Sequence, residues 1–258
     1  MVDEKAKARL AHIKSHLESD LNIDGKISNI INGRGNLSAC ASGLSSHAFA
    51  TAIFSWFEYG NLNEFKKWMY VSSELEKLYY EYQENSPDWG RGFPNLFKPL
   101  FSDNEEIIYW ISNYELAYDS NRIDDPATLD FLAYQSIVAI RRDWGNLVSR
   151  CKLVIENPSA LIIKYDKLLD YRFFLALGEG DVAVMEEVIA LMISNEKKRA
   201  DKNGGGYTKD LIVQDAAIYS KIAWRSGYFV DVRSPYVPYD WLPVKPLDKY
   251  ELVYDFLN

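Results

Sequence analysis

Two histidines four residues apart, His12 and His16, are the first side chains in this sequence with a spacing that does chemistry, since on one helix face they could hold a zinc ion. The residues between them are Ile-Lys-Ser, so the glutamate that a metalloprotease uses as its base is missing. The only further histidine is His47, and exposed helix histidines are the expectation. A second candidate is DLNIDGKIS, residues 20–28, where Asp20, Asn22, Asp24, Gly25 and Ser28 stand at positions one, three, five, six and nine of a calcium loop. Position twelve should be a bidentate glutamate and is Ile31, while Leu21 and Ile23 bring apolar groups into a loop that is normally wet. A tight turn at Asp24-Gly25, between Ile23 and Ile27, accounts for the same residues.

Nucleophile and phosphate motifs fare no better. GRGNLS at 33–38 departs from the dinucleotide fingerprint at its last position and follows no clear strand. GLSSH at 43–47 departs from the nucleophile-elbow pattern, and Ser45 or Ser46 reads as the cap of a helix through HAFATAIFSWF. DSNRIDD at 119–125 has Ile123 at the fifth calcium position and Asp124 where glycine belongs. Among 37 acids, carboxylate pairs are too common to mark the two held at a defined separation that a glycosidase needs. Cys40 and Cys151 stand far apart in no metal or redox spacing, as free thiols of a reducing compartment do. No catalytic residue, metal or cofactor is assigned.

The formal charge of −8 argues against nucleic acid as a partner, because phosphate binding needs a basic footprint. Between Glu81 and Asp130 eleven acids face three bases, so one fifth of the chain holds the whole imbalance and the remainder is neutral. A charge run of this kind is ordinarily a solvated face. Its other use is to steer a basic partner protein.

The elements that would position these groups are helices. Phe65, Trp68, Ser72, Leu75, Tyr79 and Tyr82 recur at threes and fours, as do Leu129, Leu132, Ser136 and Ile140, and Val182, Met185, Ile189 and Met192. LIIKYDKLLDYRFFLAL at 161–177 is apolar nearly all round and reads as a helix buried on several sides. Gly60-Asn61, Gly145-Asn146 and Gly180-Asp181 each read as a glycine ending one helix and a polar residue capping the next. Their unequal separations exclude a regular repeat. The stretch 85–99 breaks helix, Ser102 or Asp103 can cap the one that follows, and 201–210 reads as a flexible loop. The expectation is a single all-α domain over 1–258: an irregular bundle or short solenoid-like stack of helical hairpins. The charged N-terminal stretch is no signal peptide, and no run reaches the ~20 apolar residues of a membrane span. A cytoplasmic protein without membrane contact is expected.

SPYVPYDWLPVKPL, residues 234–247, holds four of the nine prolines and satisfies the PxxP spacing twice. Recognition tails lie in polar surroundings, whereas these prolines alternate with Tyr236, Val237, Tyr239, Trp241, Leu242, Val244 and Leu247. Such side chains gain kilocalories by burial, and proline lowers the entropy lost on ordering an extended segment. A proline-rich extended C-terminal strap docked on the helices is the expectation.

Glu179-Gly180-Asp181, then Ala223-Trp224-Arg225-x-Gly227, then Trp241-Leu242-Pro243 and Tyr254-Asp255-Phe256-Leu257 form an ordered set over the last hundred residues. That set resembles the immunity protein 49 family of bacterial polymorphic toxin systems, whose members are mostly helical cytoplasmic antidotes encoded beside a toxin. The resemblance implies a protein that binds and neutralises a cognate toxin domain, with no catalytic residues. It implies fold-maintaining roles for Gly227 as a helix stop, Trp224 and Trp241 as core aromatics, and Asp181 as a helix cap. A toxin-facing surface built from Asp103, Glu105, Glu106, Asp119, Asp124 and Asp125, with Trp89, Phe93 and Tyr109 as aromatic anchors, follows from the charge placement. Two other classes stay open: a small cytoplasmic hydrolase with carboxylates in an inter-helical cleft, and a helical adaptor that reads peptides on a concave surface.

Overall fold

Helix forms wherever the apolar residues recur at threes and fours, because that spacing gives each segment one face to bury. A computed structural model describes residues 4–19, 22–83, 96–114, 120–194 and 206–257. Among these residues there are thirteen α-helices and no strand beyond an isolated bridge from Ser234 to Val237. In chain order the helices are α1 (Glu4–Glu18), α2 (Ile23–Ile31), α3 (Leu37–Tyr59), α4 (Leu62–Gln83), α5 (Phe97–Ser102), α6 (Glu105–Asn113) and α7 (Ser120–Ile123). They continue as α8 (Leu129–Ile140), α9 (Trp144–Glu156), α10 (Ala160–Lys164), α11 (Leu168–Glu179), α12 (Val182–Ser194) and α13 (Gln214–Arg225).

The frame is the long hairpin of α3 and α4. Gly60 ends α3 at φ 63°, in the left-handed region that favours glycine, and the Asn61 side chain accepts from the Glu64 N–H to start α4. Small residues let the two helices approach: Ala41, Ala48 and Ala52 are fully buried on α3. Ser45 and Ser72 then exchange reciprocal bonds, each hydroxyl donating to the other's backbone carbonyl at 2.8 and 2.7 Å.

The C-terminal segment, residues 228–257, contains only short 3-10 turns at Tyr239–Trp241 and Asp255–Leu257. Trp241 is buried in the main core, stacked on Phe65 at 4.3 Å and met edge-on by Trp56, Phe57, Phe97 and Phe101. Further on, Tyr254 joins a second cluster with Ile30, Leu44, Val71 and Leu75 between α2, α3 and α4. Buried aromatics of this size carry much of a core's energy.

Several local readings of the sequence are corrected. Asp24-Gly25 is not a turn but the opening of α2; Asn22, at φ 54°, makes the reversal just before it. The stripe Ile23, Ile27, Ile30 needs a helix to pack together against the α3–α4 pair, and that burial outweighs the turn preference of the dipeptide. Ser45 caps nothing: α3 begins at Leu37, and Asn36 accepts from the Ala39 N–H. At the second hairpin junction Arg142, not Gly145, takes the left-handed conformation (φ 59°), and Asp143 rather than Asn146 caps α9. The apolar stretch 161–177 is two helices, α10 and α11, separated by Asp166 at φ 52°. Asn104, not Ser102 or Asp103, caps α6. Among the described residues one helix, α3, is long and apolar enough by length and composition to cross a membrane; half of its most apolar stretch is buried inside the protein.

Candidate functional site

Asp103 stands where the sequence reading placed a surface acid, and its position is a correction: it is completely buried. It follows α5 in the left-handed conformation (φ 59°), which aims its carboxylate inward between α4 and α13. Lys66 Nζ lies 2.8 Å from Oδ2 and Lys221 Nζ lies 2.7 Å from Oδ1, with Arg225 Nη1 at 3.8 Å. Each lysine also donates to the C-terminal segment. Lys221 reaches the carbonyls of Trp241, Leu242 and Pro243 at 2.8, 3.3 and 3.1 Å, and Lys66 reaches that of Lys245 at 2.6 Å. The Lys245 N–H donates to Asp103, and the Tyr250 hydroxyl donates to the Ser102 carbonyl at 2.7 Å. Burial pulls the Lys221 ammonium down to about 8, against the pull of Asp103 that favours its charge. Burial likewise pushes the Tyr250 phenol up to about 12.

The remaining acids of the segment are distributed. Glu105 is bound by Arg225 through bonds of 2.6 and 2.8 Å, and Asp124 lies 3.4 Å from Arg150. Asp130 is paired with Arg122. Glu106 and Asp125 are exposed and make no ion pair among the described residues; Asp125 accepts from the Ala127 N–H at 2.9 Å. The Glu105–Glu106 pair and the Asp124–Asp125 pair flank opposite ends of α8, a helix of ~18 Å at the standard rise. They do not form one patch. Trp89, Phe93 and Asp119 lie outside the described residues.

What the fold does assemble is a groove of about 640 Å³ at the N-terminus of α6, lined by Glu105, Arg142, Trp224, Arg225, Phe229 and Val244 among others. Phe229 is 69% exposed and meets Trp224 edge-on at 5.1 Å. Trp224 is held by its indole N–H on the Val230 carbonyl at 3.1 Å. Tyr109, one helical turn beyond Glu105 on α6, is 72% exposed. Arg142 donates to the Arg225 carbonyl at 3.0 Å, and its guanidinium makes no ion pair among the described residues. The groove therefore combines exposed aromatic surface with both signs of charge on a floor anchored by the buried Asp103 cluster. Sequence reading missed Arg142, Trp224 as a groove wall, Phe229 and Val244. The signal was present for Phe229: in Phe229-Val-Asp-Val232 the valines point in and Phe229 and Asp231 point out.

The other candidates resolve into structural roles. Lys98 Nζ donates to Ser45 Oγ at 2.9 Å and to Glu76 at 2.8 Å, which brings a hydroxyl beside an amine as in a serine–lysine dyad. Ser45 is 2% exposed, and its own proton is directed to the Ser72 carbonyl, so the trio ties α3, α4 and α5 together. His16 Nε2 meets the Tyr207 hydroxyl at 2.5 Å, and burial lowers both His16 and His47 below the usual imidazole range. Among the described residues no three His, Cys, Asp or Glu side chains converge as a metal site. Both cysteines are buried free thiols, and burial pushes Cys151 up to about 12.

The motif residues of the C-terminal set can be placed as well. Gly180 and Gly227 take φ 77° and 92° at helix ends, and Asp181 accepts from the Val184 N–H at 3.1 Å. Trp241 is core, whereas Trp224 is only partly buried. No protein-family model, curated protein or solved structure matches this chain.

Proposed function

We propose that this protein acts by binding another protein, as an antidote that covers and neutralises a toxin domain. The observation that carries the reading is the face formed by the groove and α6, where Phe229 and Tyr109 stand exposed beside Glu105, Glu106 and Arg142. Exposed aromatics set among charged groups are the composition of a protein interface, where aromatic side chains and arginine carry most of the energy. A rigid floor supports it, since the Asp103 cluster fixes α6, α13 and the C-terminal segment against one another and so lowers the cost of ordering a surface on association. The ordered C-terminal motifs supply the toxin-neutralising part of the proposal. On this reading Glu106 and Tyr109 meet the partner directly, and Glu105 does so while holding Arg225. Asp124 and Asp125, at the other end of α8, contribute long-range attraction to a basic partner.

The test is co-expression with the polypeptide encoded beside this protein, followed by a growth assay and affinity capture. Restored growth with a stable complex is expected. Tyr109→Ala and Phe229→Ala should each weaken the complex about tenfold or more, as truncated interface anchors do, while the melting temperature of the free protein stays put. Restored growth with no complex would point to an enzymatic route, and a complex indifferent to both substitutions would move the interface elsewhere.

A further inference from the structure

The charges that line the groove beside α6 and α13 do not cancel. Glu105 is answered by Arg225 through bonds of 2.6 and 2.8 Å, and Arg225 also faces Asp103 at 3.8 Å. Arg142 is the lining charge left over: it is exposed and makes no ion pair among the described residues. Its Nη2 donates to the Arg225 carbonyl at 3.0 Å, while Nε and Nη1 meet no acceptor among the described residues. A planar guanidinium tethered at one corner, with the rest of its fork open, suits a carboxylate, which it can take in two parallel bonds.

The backbone beneath Arg142 points the same way. Arg142 holds φ 59° in the turn between α8 and α9, where its N–H donates to the Ala139 carbonyl at 3.0 Å and the Asp143 N–H to that of Val138 at 3.1 Å. Glycine or asparagine is the usual occupant of such a helix end, and a long side chain there carries a conformational cost. No ion pair within the described residues offsets it. Beside Arg142 the groove is apolar and unfilled. Phe229 is exposed and set edge-on to Trp224, and Val244 is 37% exposed. Nothing lies within 4 Å of the place where a side chain on Gly227 would begin. The space of about 640 Å³ is an apolar bed with one unanswered cation.

Resting on the protein-binding reading above, we infer that the groove receives a segment of the partner protein in which a glutamate or aspartate stands next to an apolar residue. The carboxylate pairs with Arg142, and the apolar side chain packs on Phe229, Trp224 and Val244. This contact is opposite in sign to the long-range attraction by Asp124 and Asp125, so it fixes register and specificity while they act on the rate of encounter.

Peptides test the segment without the toxin. The isotope-labelled full chain is titrated with acetyl-Ala-Leu-Glu-Leu-Ala-amide, and with the same peptide carrying Gln or Lys in place of Glu, while the amide signal of Phe229 and the indole signal of Trp224 are followed by NMR. The Glu peptide should move both signals at millimolar concentration. The Gln peptide should bind about tenfold more weakly, as loss of a charge-assisted pair predicts, and the Lys peptide more weakly still. Arg142→Gly suits the left-handed backbone, so it should hold the melting temperature while erasing the difference between the Glu and Gln peptides. Arg142→Lys keeps the charge without the fork and should retain only part of that difference; it decides the matter if the glycine variant melts early. Equal binding of the Glu and Gln peptides, a difference that survives Arg142→Gly, or no shift at millimolar Glu peptide would overturn the inference. A stable complex with the neighbouring polypeptide beside peptides that are not told apart removes the acidic segment and leaves the protein-binding reading. Discriminated peptides with no such complex remove the antidote reading and leave the groove as a reader of acidic segments.

Discussion

Asp103 shows how far one side chain can be from what its sequence neighbourhood suggests. It faces two ammonium groups and a guanidinium, and those cations in turn hold four carbonyls of the C-terminal segment. Asparagine keeps the size and tolerates the left-handed backbone, so Asp103→Asn isolates the charge. Leaving buried cations uncompensated costs about 3–5 kcal/mol, and urea denaturation of the variant should show a loss of that order. Lys221 sets a pH signature. Its folded value of about 8 lies below the ordinary 10.5, so between those limits the unfolded chain holds a proton that the folded chain has released. Stability therefore rises with pH from about 8. Cys151 and Tyr250 act in the opposite sense, because their folded values of about 12 exceed the ordinary 9.0 and 10.0 and the unfolded chain deprotonates first. The denaturation midpoint should climb by roughly 1 kcal/mol-equivalent between pH 8 and 9 and fall beyond. In Lys221→Met, with Asp103, Lys66 and Arg225 still facing the site, the climb should vanish; if it persists, another group is responsible.

At the scale of elements, the C-terminal segment behaves as a core element rather than a tail. Chain ends are usually dispensable when their backbone and side chains are exposed. Here Trp241 and Leu242 are buried, and the carbonyls of residues 241–243 and 245 solvate Lys221 and Lys66. Truncation after Ser234 removes the central aromatic of the main core and strips Lys221 and Lys66 of their carbonyl partners, leaving Asp103 alone to hold both. The first loss alone approaches the ~3–5 kcal/mol cost of a large core deletion, a large share of the ~5–15 kcal/mol that holds a domain. The truncated chain should lose cooperative thermal unfolding and elute early from a sizing column. A sharp, near-native melt would show that the helices hold without it. The α3–α4 hairpin is the complementary case, since its stop at Gly60 and start at Asn61 are set by local chemistry.

Over the whole molecule, a charge imbalance confined to one fifth of the sequence is spread and partly cancelled in space. Cations from outside the acidic segment, Lys66, Arg150, Lys221 and Arg225, meet Asp103, Asp124 and Glu105, leaving Glu81, Glu106 and Asp125 as exposed acids without an ion pair among the described residues. The all-α class, the Gly60 and Gly180 hairpin junctions and the helical stripes of α4, α8 and α12 could be read from the sequence, because each depends on the 3.6-residue period or on one residue's backbone preference. Local preference misled where packing was stronger: Asp24-Gly25 became helix because three isoleucines needed one face, and Arg142 took the conformation that Gly145 was expected to adopt. The candidate site was legible only in fragments. Glu105, Glu106 and Tyr109 lie on one short helix, but Arg142, Trp224, Phe229 and Val244 reach the groove from three other parts of the chain. By itself the sequence determined that helices form, where many of them stop, and which faces are apolar, since these are properties of residues close together along the chain. Which acids are buried, which cations answer them and which aromatics remain exposed were decided by the tertiary structure alone, because Coulomb energy and burial depend on distance in space and not on separation along the chain.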